Sequence, residues 1–287
     1  MQFVTAIILT TCIYSIIGAG FVTIYKASRV LNFAYGDLAL LIAYIAAACL
    51  KSIGVPVIVN IFLLIVFSFM FGLIIYRLFI RPMVGEFHVS IIILTVALGI
   101  IINALVTLIW RGEIETISLG WDTNYIIPGG IRINGTEIIV IISTMILFLA
   151  LATFYNFTTI GRQMRATSEK LLLSSQRGIN IYLILGTAWG IGIVITGLGG
   201  IFLGALTGVS LTMGAVVVRG IAVALVGGLD SLKGTIPAAF VIALTEKLVY
   251  YYGNPRLGDA IGFFVMLIIL IIRPWGLWGT EEEIERV

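Results

Sequence analysis

Runs of about twenty residues almost free of charge recur along the whole of this 287-residue chain. A helix of that length crosses a hydrocarbon core about 30 Å thick, because each residue rises about 1.5 Å. No water is present in such a core to hydrogen-bond the backbone. Each run must satisfy its own N–H and C=O groups, and a helix does so. The sequence therefore predicts an all-α fold: a polytopic transmembrane helical bundle of about 8–10 membrane segments, some short or re-entrant. Charged residues make up 11% of the chain, against about 25% in a soluble domain. Residues 1–287 read as a single transmembrane domain with no room for a soluble one.

Nine apolar runs are legible, at residues 3–24, 32–50, 57–76, 89–110, 138–154, 181–206, 214–229, 235–252 and 259–272. The seventh is short and interrupted by Gly220, Gly227 and Gly228, the pattern of a broken or re-entrant segment. Met1-Gln2 leads directly into apolar residues without a basic region, so no cleavable signal is expected. Cys12 and Cys49 both fall in apolar runs and read as packing residues. With His88 as the one histidine, no cluster has metal-ligand spacing, and neither a metal nor a cofactor is expected.

The longest polar, basic insertion is 161–180, GRQMRATSEKLLLSSQRGIN. It sets Arg162, Arg165, Lys170 and Arg177 against one acid, Glu169. A helix is predicted from about Arg165 to Gln176, with Gly178 as its stop and Arg177 near the negative end of the dipole. Two readings stand for it: a short docking helix for a cytoplasmic motor, or a solvated connector held near anionic lipid by its basic residues. Placing 161–180 inside also puts Lys26, Arg29, Arg77, Arg81, Lys233 and Arg273 inside. Only Lys51, Arg111, Arg132 and Arg256 then lie in outer loops, which satisfies the positive-inside rule. The N-terminus is expected outside. The acidic tail, residues 280–287, is expected in the cytoplasm. The pI near 8.9 follows from this loop placement and implies no nucleic-acid partner.

The outer loop, residues 111–137, is the other large polar element. Ile114, Thr116 and Ser118 alternate with Glu115, Ile117 and Leu119, and Asn134-Gly135 and Pro128-Gly129-Gly130 are turn signals. They predict a small extracellular hairpin, either a receiver for a substrate-loaded binding protein or a cap on the bundle. Asn134-Gly135-Thr136 also fits a glycosylation acceptor.

Gly192, Thr196, Gly200, Gly204 and Gly208 recur every fourth residue in the sixth run. Residues four apart share a helix face, so this face lets another backbone approach closely. It reads as a packing face, or as a sliding or subunit contact beside a conduit. Gly186 and Gly190 extend it. Ionisable groups within spans are costly and informative. Arg219 lies about five residues into the seventh run, so it faces a water-filled path, pairs across helices, or reaches an interface. Asp37 has Arg29, Arg219 and its own helix N-terminus as candidate partners. Asn32 and mid-span Asn103 are further polar candidates for a path. Glu246 and Lys247 read as reaching water at the outer end of the eighth run.

No GxxxxGK[ST], GxSxG or HExxH pattern occurs, so neither a phosphate loop nor a hydrolase constellation is present. A membrane protein of this kind is a transporter or channel, powered by a gradient or by another chain. Mid-span acids, the mark of ion-coupled carriers, are scarce. A separate ATPase bound at 161–180 fits better. The alternatives are an ion-coupled secondary carrier or channel, and a non-transporting scaffold.

Four motifs, in order, carry a resemblance over almost the full chain. Leu31-Asn32-Phe33-Ala34-Tyr35-Gly36-Asp37 is similar to an (I/L)NFAHG(E/D) signature, with Tyr35 in place of the usual His. Gly161-Arg162-Gln163-Met164-Arg165-Ala166-Thr167 matches GRAMRAT, followed at the same spacing by Gly178-Ile179-Asn180. Lys170 and Leu173 depart from the acid and alanine common there. Arg219-Gly220 precedes a run resembling Val226-Gly227-Gly228-Leu229-Asp230-Ser231, and Arg273-Pro274-Trp275-Gly276-Leu277-Trp278-Gly279 is similar to an RPxGLFG ending. The chain thus resembles the permease subunit of branched-chain amino-acid ABC importers. The resemblance implies a multi-pass protein of the prokaryotic inner membrane that is not itself an enzyme. It implies half of a pathway for Leu, Ile, Val or related small amides. Its partners would be a second related permease, two cytoplasmic ABC ATPases and an external substrate-binding protein. Gly161, Arg162, Arg165, Ala166, Thr167, Glu169 and Gly178 would form the ATPase-docking segment.

Overall fold

The computed structural model describes residues 2–52, 56–127, 131–169 and 171–281. In chain order these form α1 (Gln2–Ser28), α2 (Tyr35–Ser52), α3 (Val57–Ile75) and α4 (His88–Trp110). A hairpin of β1 (Asn124–Ile127) and β2 (Ile131–Asn134) follows, then α5 (Gly135–Phe157), α6 (Thr159–Glu169) and α7 (Leu171–Gln176). The rest is α8 (Ile181–Thr207), α9 (Met213–Gly227), α10 (Leu232–Tyr252) and α11 (Pro255–Ile272). All nine apolar runs form helices, and the protein is an all-α polytopic membrane protein. Among the described residues five helices are each long and apolar enough to cross a membrane: α1, α3 with its continuation to Met83, α4, α5 and α8. Helices α9 and α10 pass that test only together and turn by 118° at their joint. Helix α3 continues through a π-helical turn, Tyr76–Ile80, and a 3-10 turn, Arg81–Met83.

Helices α1 and α8 form the centre. Ile16, Ile17 and Val22 of α1 and Ala188, Trp189 and Ile193 of α8 are fully buried. Helix α1 packs against α8, α9 and α10, and α8 also meets α2 and α3. Outer helices leave apolar side chains exposed, such as Val66 of α3, Ile93 of α4 and Met145 of α5. These need no cover where lipid is the solvent.

The small-residue stripe of α8 is a packing face. A Cβ on Gly200 would stand 2.5 Å from the Ala39 carbonyl oxygen of α2, and one on Gly192 would collide with Ile24 of α1. Thr196, fully buried between them, donates its hydroxyl to the Gly192 carbonyl at 2.7 Å. A Cβ on Gly204 would meet Val209 at 2.6 Å. Gly208 does not share the face: it follows the last turn as the cap, at φ +82°. Gly220 does not interrupt α9; Ile17 of α1 seats on it.

Polar connections sort to two ends. At one, Lys26, Arg29, Arg165 and Lys233 line a common cavity, and Arg81 lies over the Tyr182 ring at 4.7 Å. At the other, Lys51 pairs with Glu115 at 3.4 Å, Glu115 bridges to Val209, and Phe3 packs edge-on against Tyr251. The expected hairpin forms within the outer loop, starting five residues after the alternating run ends and pairing Asn124 with Asn134 through Ile127 with Ile131. Residues 114–119 instead lie extended against the end of α8. Asn134-Gly135 is a helix start rather than a turn: Asn134 accepts from the Thr136 N–H, and Glu137 reaches back to the Asn134 N–H. Pro128-Gly129-Gly130, Lys170 and the tail beyond Glu281 lie outside the described residues.

Because even one added carbon meets Ala39, Gly200→Val is expected to destabilise the detergent-purified protein by about 2 kcal/mol or more. A thermal unfolding midpoint equal to that of the unaltered chain would show that close contact between α8 and α2 contributes nothing.

Candidate functional site

The basic insertion is helical over Thr159–Glu169 and Leu171–Gln176, across one end of the bundle. The first begins a turn and a half earlier than predicted, at Thr159, because Thr158 caps it: the Gly161 N–H donates to the Thr158 hydroxyl at 3.0 Å. Gly161, Met164 and Thr167 are buried, whereas Arg162 and Ala166 are exposed. This spacing of three puts one face of α6 on the bundle and leaves the other exposed. A Cβ on Gly161 would lie 2.8 Å from Tyr155 Cα, so only glycine allows the helix to lie this close to the end of α5. Thr167 is locked by its own bond to the Gln163 carbonyl, 2.8 Å. Arg165 is half-buried beside Ser168, whose carbonyl accepts from Arg29 Nε at 3.3 Å. Glu169 ends α6, and its side chain lies outside the described set. Gly178, at φ +80°, closes α7: its N–H donates to the Ser175 carbonyl, and that of Ile179 to Ser174. Asn180 then caps α8.

The first motif holds the start of α2 well inside the bundle. Asn32 is buried, with Oδ1 accepting from the Ala34 N–H at 3.0 Å. Its Nδ2 finds no acceptor among the described residues. Phe33 N–H donates to Thr95 of α4, and the Tyr35 hydroxyl donates to the Ile17 carbonyl in the middle of α1 at 2.6 Å. Tyr35 is thus a core residue. A Cβ on Gly36 would lie 2.9 Å from the Gly214 carbonyl, so the starts of α2 and α9 lie backbone against backbone. Asp37 pairs with neither Arg29 nor Arg219. Its Oδ1 accepts from Asn103 Nδ2 at 2.8 Å. The pair sits in an open groove of about 540 Å3 whose other walls are Phe33, Val96, Ile100 and Ala104. Helices that begin inside a membrane bundle, with polar groups at their starts, are the usual architecture of solute sites in transporters.

Arg219 lies elsewhere, in a network the sequence did not disclose. Its Nη1 contacts Glu246 Oε1 at 2.7 Å and the Tyr14 hydroxyl at 2.9 Å, and its Nη2 contacts Asp259 at 2.7 Å. Tyr14 in turn donates to Glu246 Oε2 at 2.8 Å. Glu246 is buried and does not reach water. The available signal was arithmetic: a guanidinium inside a span needs a counter-charge, and Glu246 and Asp259 are the acids of the two following helices. Arg219 therefore ties α1, α9, α10 and α11 together and is set apart from the Asp37–Asn103 groove.

The last two motifs meet. Leu277 N–H donates to the Val226 carbonyl at 2.8 Å and Trp278 N–H to that of Gly227 at 3.2 Å. Asp230 accepts from both the N–H and the hydroxyl of Thr280. The segment 273–280 is thereby fastened to the joint between α9 and α10.

Comparison with known proteins finds similarity over nearly the whole chain. Residues 3–270 match the family described as "Branched-chain amino acid transport system / permease component". The chain is 22% identical to the high-affinity branched-chain amino acid transport system permease protein LivH of Salmonella typhimurium, over 96% of this chain and 93% of that one. It is 24% identical to the corresponding permease protein BraD of Pseudomonas aeruginosa, over 96% and 94%. It is 26% identical to a probable branched-chain amino acid transport permease protein LivH of Methanocaldococcus jannaschii, over 93% and 88%.

The Arg219–Glu246 pair is buried on both sides, 14% and 8% exposed. Removing one partner of such a pair costs about 3–5 kcal/mol, whereas replacing both by apolar residues costs little. Glu246→Leu alone is expected to lower the unfolding midpoint sharply, and Arg219→Met with Glu246→Leu to restore most of it. Equal losses in the single and double variants would show that the two charges do not support each other.

Proposed function

Because the chain belongs to the family of branched-chain amino acid transport permease components, we propose that it is the membrane subunit of an ATP-driven importer, working as half of a pathway for branched-chain amino acids or related short amides. One observation carries this reading. Helix α6 lies across an end of the bundle with one face embedded and the other, bearing Arg162 and Ala166, turned outward. The chain itself has no phosphate loop. Such a helix is a handle for a second protein. In this reading residues 161–178 dock into one of two cytoplasmic ABC ATPases, a second related permease completes the pathway, and an external binding protein delivers the solute. The basic residues gathered at the α6 end support assigning that end, with the C-terminus, to the cytoplasm. The N-terminus and the loop 111–137 are then outside.

The coupling is mechanical. Closure of the ATPase pair on ATP moves the docked helix. Helix α6 is seated on α5 and α1, and α1 holds the start of α2 through Tyr35. Movement at α6 therefore reaches the Asp37–Asn103 groove. The motor must favour one arrangement over the other by several kcal/mol for the pathway to switch. The groove pairs one carboxylate and one amide with apolar walls. That suits brief contact with a zwitterion that carries an aliphatic side chain. Gly192, Thr196, Gly200 and Gly204 serve packing beside this path. Arg219 ties its own helix to the three helices around it.

Two measurements on the reconstituted complex test the proposal. Arg162→Glu is expected to reduce ATP-driven uptake about tenfold, equivalent to about 1.4 kcal/mol of lost docking, while the chain still inserts normally. Undiminished uptake would remove α6 as the point of engagement. Asp37→Asn is expected to slow solute entry several-fold with binding-protein affinity unchanged; an unaltered rate would take the groove out of the pathway. Solute flux through the chain alone in liposomes, with no ATPase present, would favour an ion-coupled carrier using Asp37.

A further inference from the structure

A second cavity, of about 580 Å3, opens at the α6 end of the bundle. Four cations from three separate elements converge on it: Lys26 and Arg29 from the end of α1, Arg165 from α6, and Lys233 from the start of α10. Asp230 is the one acid among its described lining residues; it accepts from the N–H and hydroxyl of Thr280 and its charge still faces Lys26, so the positive excess is that of Lys26, Arg165 and Lys233 over Asp230. Lys26 holds its ammonium 5.2 Å over the Tyr155 ring, which fixes it at the cavity. The apolar part of the lining comes from Phe148, Leu151 and Ala152 of α5 and Ile236 of α10. Phe148 lies nine residues before the end of α5, so this wall rises about 13 Å along the helix. Ile236, at 45% exposure, joins it to the lipid-facing surface.

A charged mouth beneath an apolar wall at the edge of a membrane helix matches one kind of occupant. We propose that this cavity binds an anionic phospholipid, its phosphate among the lysines and arginines and its acyl chains along α5 and α10. Phosphate oxygens accept well from convergent ammonium and guanidinium donors, and basic pockets between membrane helices hold such head groups. A free phosphate or an acidic peptide satisfies the cations but leaves the apolar wall uncovered. The inference rests on α5 and α10 being membrane helices and not on the transport reading. If it holds, the lipid lies against Arg165 and Ser168 of α6, and the membrane's anionic lipid sets the footing of the docking segment.

The test uses the full chain, purified in mild detergent and offered equal amounts of phosphatidylglycerol and phosphatidylcholine, with bound lipid read by native mass spectrometry. Phosphatidylglycerol is expected to be retained preferentially. Lys26→Gln and Lys233→Gln should each reduce that retention about fivefold, and Arg132→Gln, at the opposite end, should not. Ile236→Glu, which keeps all four cations, should also release the lipid, and an unfolding midpoint measured on each variant guards against loss of fold. Equal retention of the two lipids, or full retention in the double lysine variant, would overturn the proposal. So would displacement by glycerol 3-phosphate at equal concentration, which would make the site one for free phosphate. Retention that begins only when residues 281–287 are removed would assign the cavity to the chain's own acidic tail.

Discussion

Backbone laid directly against backbone holds this bundle together. In water, apolar side chains drive helices into contact. In a bilayer the lipid tails are as apolar as the side chains, so association rests on van der Waals contact at close range. The chain meets that demand with glycine at several crossings: Gly200 against Ala39, Gly36 against Gly214, Gly227 against Gly234. Any of these positions given a side chain would force two helices apart, and the displacement would reach the groove. The position of Asp37 beside Asn103 depends on α2 approaching both α9 and α4 this closely.

Charge has the complementary task. Where packing alone would leave α9, α10 and α11 free to slide, a guanidinium with two carboxylates and a phenol fixes their relative height. A dispersion contact changes little over a small slide. A hydrogen-bonded ion pair in a low dielectric does not tolerate the same shift. The two devices meet on α9: Gly220, next to Arg219, seats Ile17 of α1, and Gly227 lies against Gly234 of α10.

Elements governed by local rules were legible in the sequence, and those governed by distant partners were not. The apolar runs announced their helices because crossing a membrane requires length. Gly178 announced the end of α7 because an unstrained left-handed residue is needed there. The start of α6 was hidden because its cap, Thr158, sits among residues that read as the tail of an apolar run. Residues 114–119 alternate as a strand does, but Glu115 bridges to Val209, almost a hundred residues away, whereas the Pro128-Gly129-Gly130 signal falls between the two strands of the hairpin that does form. Glu246 read as a residue near water because its height in the helix was visible and its neighbour Arg219 was not. The family motifs were recognisable one by one. That the third and fourth join by hydrogen bonds became visible only in three dimensions.

That junction bears on how the chain is made. The carbonyls of Val226 and Gly227 are satisfied by the N–H groups of Leu277 and Trp278, which emerge from the ribosome some fifty residues later. At about 5–20 residues per second, translation leaves those acceptors waiting for several seconds. The corner between α9 and α10 is therefore the last part of the bundle to close. A message truncated before the codon for Leu277 would yield a chain with every helix in place and this corner still open.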